Sequence, residues 1–213
     1  MLILSEPISI RTELGIAVAR HVLYRDDESL DAASKEGIVV FSPQGIAERP
    51  RVRLQSSCLF GEALWATDCD CGQQLSLALD LVLRDRGLLV YFYEEGRGAG
   101  LRKKFEAIRL QQTQGLDTDA AFECLQLKPD LRSYRAAAEV LKNVLGTDAE
   151  IVLLTNNPRK ADALRSRGVR VVHTENLIAA RINSSLASYL VKKSELLGHK
   201  FPEADISTWK SWS

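Results

Sequence analysis

The stretch RVRLQSSCLFGEALWATDCDCG, from Arg51 to Gly72, carries three of the chain's four cysteines, Cys58, Cys69 and Cys71. Thiolates are soft, strong ligands for zinc, and three of them leave one tetrahedral position open. Three protein ligands and an open position make a catalytic zinc site; a fourth protein ligand would make a closed structural one. Buried free thiols are the remaining alternative. Cys69-Asp70-Cys71-Gly72 is polar and turn-like, a poor setting for core thiols, so the spacing favours a metal. Any fold must therefore deliver Cys58 on one element and bring Cys69 and Cys71 back beside it. Cys124 lies in an apolar patch and is expected to pack in the core. His21, His173 and His199 show no ligand-like spacing and read as structural or surface residues.

The rest of the chain is compatible with a soluble enzyme. Its 213 residues suit one domain over 1–199 with a C-terminal tail over 200–213. Lysine plus arginine equals aspartate plus glutamate, 28 each, so no global field points to nucleic acid or an acidic membrane as partner. MLILSEPISI lacks the basic lead and cleavage site of a signal peptide, and no apolar run reaches the ~18–20 residues needed to span a bilayer. Clustered cysteines do not read as a secreted disulfide framework, and the expected location is the cytoplasm.

Hydrophobic periodicity predicts a mixed α/β (α+β) single domain, β-rich in front and alternating β-α behind. Residues 8–24 read as two strands around Gly15, followed by a hairpin loop from Arg25 to Gly37 and a strand over 38–41. RVRLQSS reads as the strand that delivers Cys58, and a helix begins near Gln74 and stops at Gly87. LLVYFY (88–93) is a buried strand running into the glycine-rich EEGRGAGL and a helix over 101–114. Residues 115–130 read as irregular. A helix over 131–145, the strand IVLLTN, a short helix to Gly168, the strand VRVVHT and a helix over 184–198 complete the pattern. The tail, with two of the three tryptophans, either docks on the body or a partner subunit or stays loose.

Three segments besides the cysteines could carry chemistry. Glu95-Gly96-Arg97-Gly98-Ala99-Gly100 follows a strand and opens a helix, where backbone N–H groups can approach phosphates, although a tight turn needs glycine anyway. Asp130 stands where a helix N-cap belongs, which by itself explains it, and Arg132 could be a solvated helix residue. Thr155 to Lys160 closes a buried strand, where ligands collect in α/β sheets and where a plain turn is equally expected.

Taken together, CLFGEALWATDCDCGQQL, EEGRGAGL, the LQ…QGLDT stretch, DLRSY and LLTNNPRK resemble the GTP cyclohydrolase II family, the enzymes that open riboflavin biosynthesis. The resemblance covers residues from about 50 to 199. It implies one zinc per subunit on Cys58, Cys69 and Cys71. It implies guanine and phosphate contacts at Arg53, Gln55, Ser57, Gln74, Glu95, Gly96, Arg97, Thr118, Thr155 and Lys160, with Asp130 and Arg132 as catalytic pair. It further implies magnesium with the triphosphate and a homodimer. The implied reaction is hydrolytic opening of the guanine imidazole ring at C8, then loss of formate, with separate loss of pyrophosphate.

The chain departs from the family pattern at Ala107-Ile108-Arg109-Leu110-Gln111, where Ile108 replaces a catalytic tyrosine and an extra residue precedes Gly115. The family's His-Ser-Glu is Gln55-Ser56-Ser57 here, and E-A-N is Asp119-Ala120-Ala121. Ile108 can neither donate nor accept a proton. Three outcomes follow: the full reaction, a reaction that stops with the formyl group retained, or the same chemistry on another purine. A guanine-nucleotide binder without turnover is the reading from a different class; an open metal and retained Asp130 and Arg132 argue against it.

Overall fold

The computed structural model describes residues 1–25 and 35–211. Alternating branched residues form the front strands β1 (Leu2–Leu4), β2 (Ile8–Thr12), β3 (Gly15–Tyr24) and β4 (Lys35–Phe41). β1 was not anticipated. It and β2 pair side by side along β3, which pairs antiparallel with β4. Most of the expected hairpin loop lies outside the described residues, and its end, Lys35 to Gly37, belongs to β4.

The apolar runs of the back half form β5 (Arg51–Ser56), β6 (Leu88–Phe92), β7 (Glu150–Leu154) and β8 (Arg170–Glu175). One sheet results, in the order β1-β3-β4-β6-β5-β7-β8, with β2 also on β3. β6 pairs antiparallel with β4 and parallel with β5; β5–β7 and β7–β8 are parallel. The loops that follow β5, β6 and β7 therefore open at one end of the sheet, where ligands of α/β proteins bind.

Parallel neighbours need crossover helices, and these cover both faces. α1 (Cys71–Arg84) buries Ala78 and Val82 against Ala19, Val40 and Leu89. After α2 (Gly100–Gln114) and α3 (Thr118–Cys124), α4 (Arg135–Leu145) and α5 (Pro158–Arg165) cover the other face. There Ala137, Leu141 and Leu164 meet Val39, Val52 and Val90. Val39 and Val40 point to opposite faces, as the two-residue period of a strand requires.

Three expectations are corrected. Residues 115–130 contain α3, because Asp117 caps it by accepting from the Ala120 N–H at 2.8 Å. Cys124 is exposed rather than core; Ala121 and Phe122 are the α3 residues that pack, against Ala107 of α2. Asp130 is no N-cap: α4 begins at Arg135, and the Asp130 carboxylate is taken by Arg132. The described part of the tail docks on its own body, and Trp212 lies outside the described residues. α6 (Ser184–Leu197) is followed by α7 (Glu203–Lys210), whose Trp209 is buried against α6 and meets Phe201 edge-on at 5.3 Å.

Candidate active site

β5 ends two residues before Cys58, and the chain then makes a single wide helical turn, Leu59–Ala63, before returning through Cys69 to Cys71, the first residue of α1. The three Sγ atoms lie within 4.8 Å of one another, with Cys58 and Cys69 3.8 Å apart. A tetrahedral zinc with Zn–S near 2.3 Å has a sulfur–sulfur edge of about 3.8 Å, so the donors fit that ion. Among the described residues no fourth histidine, cysteine or carboxylate joins the group. The spread is set by backbone. A Cβ on Gly61 would lie 2.8 Å from Cys69 Sγ, and one on Gly72 would lie 2.1 Å from the Gly61 carbonyl oxygen. Hydrogen bonds from Cys69 and Cys71 pull Cys58 well below an ordinary thiol and hold Cys69 and Cys71 above it. One thiolate therefore forms readily, and a cation is what would ionise all three.

Charged groups surround the sulfurs. The Lys104 ammonium, one turn into α2, lies 3.2 Å from Cys58 Sγ and 2.6 Å from Glu95 Oε1. Burial opposes its charge, but Glu95 and Cys58 outweigh burial and raise its pKa. Glu95 also accepts from the Leu59 N–H at 2.8 Å, tying the glycine-rich loop to the turn after Cys58. Glu62 accepts from Cys58 N–H (3.2 Å), Gln55 Nε2 (2.6 Å) and the Tyr91 hydroxyl (2.7 Å).

A buried polar chain extends from there. Arg53 and Gln55, on β5, are 5% and 4% exposed. Arg53 Nε donates to Gln55 Oε1 (2.9 Å), Nη1 to the Leu154 carbonyl (3.1 Å) and Nη2 to Gln74 Oε1 (2.7 Å). Burial pushes the Arg53 pKa down to about 10. Gln74 Nε2 in turn donates to Asp70.

On the far side, the glycine-rich loop turns at Arg97, a non-glycine residue with φ of 54°. Its guanidinium donates to Asp119 Oδ1 (2.6 Å) and the Pro129 carbonyl (3.0 Å), and its carbonyl accepts from Leu131 N–H. Gly98, at φ 87°, packs against that same Leu131–Arg132 backbone. Arg132 lies along the Asp130 carboxylate through Nε (2.9 Å) and Nη2 (2.7 Å). Burial opposes both charges; the pairing prevails, raising Arg132 and lowering Asp130. Lys160 is buried, donates to the Leu54 carbonyl at 2.8 Å, and is held well below a normal lysine by burial and by Arg53 and Arg132. Tyr134 lies beside Lys160 and Arg132, each 6.0 Å from its ring, and its buried hydroxyl has no hydrogen-bond partner among the described residues. Burial pushes that phenol up to about 12.

Most of the residues singled out from sequence thus gather at one end of the sheet. Arg53, Gln55, Gln74 and the cysteines share one hydrogen-bonded neighbourhood; Asp130 and Arg132 form a second pair, and Arg132 and Lys160 flank the Tyr134 ring. Thr118 and Arg97 border a small pocket with Tyr189 and Lys193 of α6. Ser57 lines a different cavity of about 640 Å³, whose floor is apolar. Thr155 Oγ1 donates to the Asn157 carbonyl at 3.3 Å and accepts from the Asn157 N–H at 3.0 Å. Glu62, Asp70, Lys104 and Lys193 were missed, whereas Tyr134, like Tyr91 and Tyr93, was a phenol that could replace the absent tyrosine only if the fold brought it close. Only Lys104 had a usable signal, its place one turn after the glycine-rich loop. His199, read as structural, is half-buried near Lys193, Lys160, Arg132 and Arg97; burial first, then those cations, push it down to about 3.

The sequence matches known proteins. The family model for GTP cyclohydrolase II matches residues 8–176. A GTP cyclohydrolase-2 of Saccharophagus degradans is 40% identical over 177 residues, 82% of this chain and 86% of that protein. One from Helicobacter pylori (strain Shi470) is 42% identical over 166 residues, 78% of this chain and 83% of its own. A third, from Proteus mirabilis, is 43% identical over 148 residues, 69% and 72% of the respective chains. With a family model over most of its length and three such relatives, the chain belongs to the GTP cyclohydrolase II family.

Proposed function

We propose that this chain is a zinc-dependent hydrolase that opens the imidazole ring of GTP at C8 and releases pyrophosphate. The product would be an aminopyrimidine ribosyl 5'-phosphate, with or without its formyl group. The observation that carries this reading is the convergence of three sulfurs at tetrahedral spacing with the Arg53–Gln55–Gln74 network and the Asp130–Arg132 pair. Zinc on Cys58, Cys69 and Cys71 would supply a Lewis acid that makes water nucleophilic near neutral pH. Arg53, Gln55, Ser57 and Gln74 would read the purine. Glu95, Gly96 and Arg97, with Thr118, Thr155 and Lys160, would hold the triphosphate with its magnesium.

Asp130 keeps Arg132 a full cation, which disfavours the guanidinium as a nucleophile. Its fork suits a clamp on the phosphoryl oxygens as pyrophosphate leaves. Cytoplasmic location and a homodimer complete the proposal. Exposed Ile8 of β2, Leu14 of the turn that follows it and Ile16 of β3, beside the apolar cavity, support the latter.

Retention of the formyl group is the favoured form. Ile108 lies four residues beyond Lys104 on α2, on the same helix face, and offers only hydrocarbon. Tyr91, the phenol nearest the metal turn, is already bonded to Glu62, and burial with Glu62 raises its pKa. Mass spectrometry of GTP incubated with zinc and magnesium, with formate and pyrophosphate assayed together, tests both forms. A formylated product without formate supports the favoured form. Equimolar formate and pyrophosphate would restore the full reaction. Unchanged GTP in the presence of bound zinc would overturn the proposal.

A further inference from the structure

Asp70 is 1% exposed and sits between Cys69 and Cys71. Once the sulfurs are ionised, it is a fourth negative charge in the same loop. A buried carboxylate is costly unless paired, and more so beside like charges. Its partner comes from far along the chain: Lys193 Nζ, on α6, lies 3.1 Å from Asp70 Oδ1 and 4.3 Å from the centroid of the Tyr189 ring. The other carboxylate oxygen accepts from Gln74 Nε2, which fixes the Gln74 amide so that its Oε1 meets Arg53. Lys104 is the counterpart at Cys58. Asp70 is thus paired with Lys193 as Cys58 is with Lys104.

We infer that Lys193 is a positioning residue: by neutralising Asp70 it holds the Cys69–Cys71 loop in metal-binding shape and the Gln74 amide in register with Arg53. α6 lies beyond residue 176, where the family match ends, yet it is part of the active site. The inference rests on the zinc reading of the cysteines.

The test is zinc affinity of the full chain, stripped and reloaded, by competition with a chromogenic chelator. The visible spectrum of the cobalt-loaded protein reports donor geometry, and far-ultraviolet circular dichroism reports folding. Lys193→Met is expected to weaken zinc ~10–100-fold, as loss of an outer-shell partner does, and to alter the cobalt bands. Adding Asp70→Asn to Lys193→Met is expected to recover most of that loss, since no unpaired charge remains. Exposed Lys192→Met, one residue earlier on α6, should bind zinc like the parent. Parent-like affinity in Lys193→Met overturns the inference, as does a double variant no better than the single. If Lys193→Met fails to fold, recovery of folding and zinc in the double variant supports it, and their continued absence overturns it. A parent chain that takes up no zinc overturns the metal reading itself, an outcome distinct from a parent that binds and variants that do not differ.

Discussion

Arg132 and Asp130 meet side on, two guanidinium nitrogens on two carboxylate oxygens, with the Arg132 N–H also donating to Oδ1 at 3.0 Å. The same residue that keeps the guanidinium charged also fixes its plane. Arg132→Lys keeps the charge and loses the fork, so kcat for pyrophosphate release should fall ~10²–10³-fold while zinc content stays at the parent level. A Lys variant with parent kcat would remove Arg132 from the chemistry.

Glu62 accepts three hydrogen bonds, and no neutral substitute satisfies them all. In Glu62→Gln one amide NH₂ must face a donor. Turning the Gln55 amide to relieve it would point a second NH₂ at Arg53 Nε–H. The expected cost is about 1–3 kcal/mol in urea unfolding, against about 1 kcal/mol for Tyr91→Phe, which removes a single donor. Equal losses for the two variants would mean that Glu62 serves Tyr91 alone.

Gly61→Ala places a methyl 2.8 Å from Cys69 Sγ, with the Cys71 side chain and Gly72 backbone closing the other sides. Zinc per chain, measured by elemental analysis, should fall well below one. Full occupancy would show that the turn can shift to make room.

His199 gives a pH dependence with a definite sign. Its folded pKa, about 3, lies below the ordinary 6.5, so between those values the unfolded chain binds a proton that the folded chain does not. Stability is then lost as pH falls below 6.5, at a rate of up to about 1.4 kcal/mol per pH unit. Urea unfolding at pH 7 and pH 5.5 should differ in the parent, and the difference should shrink in His199→Gln. An unchanged difference would assign the acid sensitivity elsewhere.

The sequence was legible where a residue's role is written in its neighbours. Strands β2 to β8 follow from alternation or from apolar runs, and the cysteine cluster from spacing alone. Asp130 shows the limit: its position before a helical pattern mimicked an N-cap, and only the start of α4 at Arg135 freed it for Arg132. Cys124 was misplaced because the apolar residues around it belong to α3, whose period puts Ala121 and Phe122 inward and Cys124 outward. Lys193 and Asp70 lie 123 residues apart, and no local pattern links two residues that meet only when α6 folds back onto the loop before α1. Ile108 was legible as a departure through the family resemblance, and its half-buried place one turn beyond Lys104 gives that departure a location.

The contact between Gly61 and Gly72 bears on which ion the cysteines accept. Two backbone segments abut there with no side chain between them to compress. A larger ion, with longer bonds to sulfur, would have to push whole peptide units apart rather than turn three χ1 angles. With zinc on the cysteines as proposed, ion radius would be screened by the main chain, and selectivity for a small divalent ion should survive changes to the side chains around it.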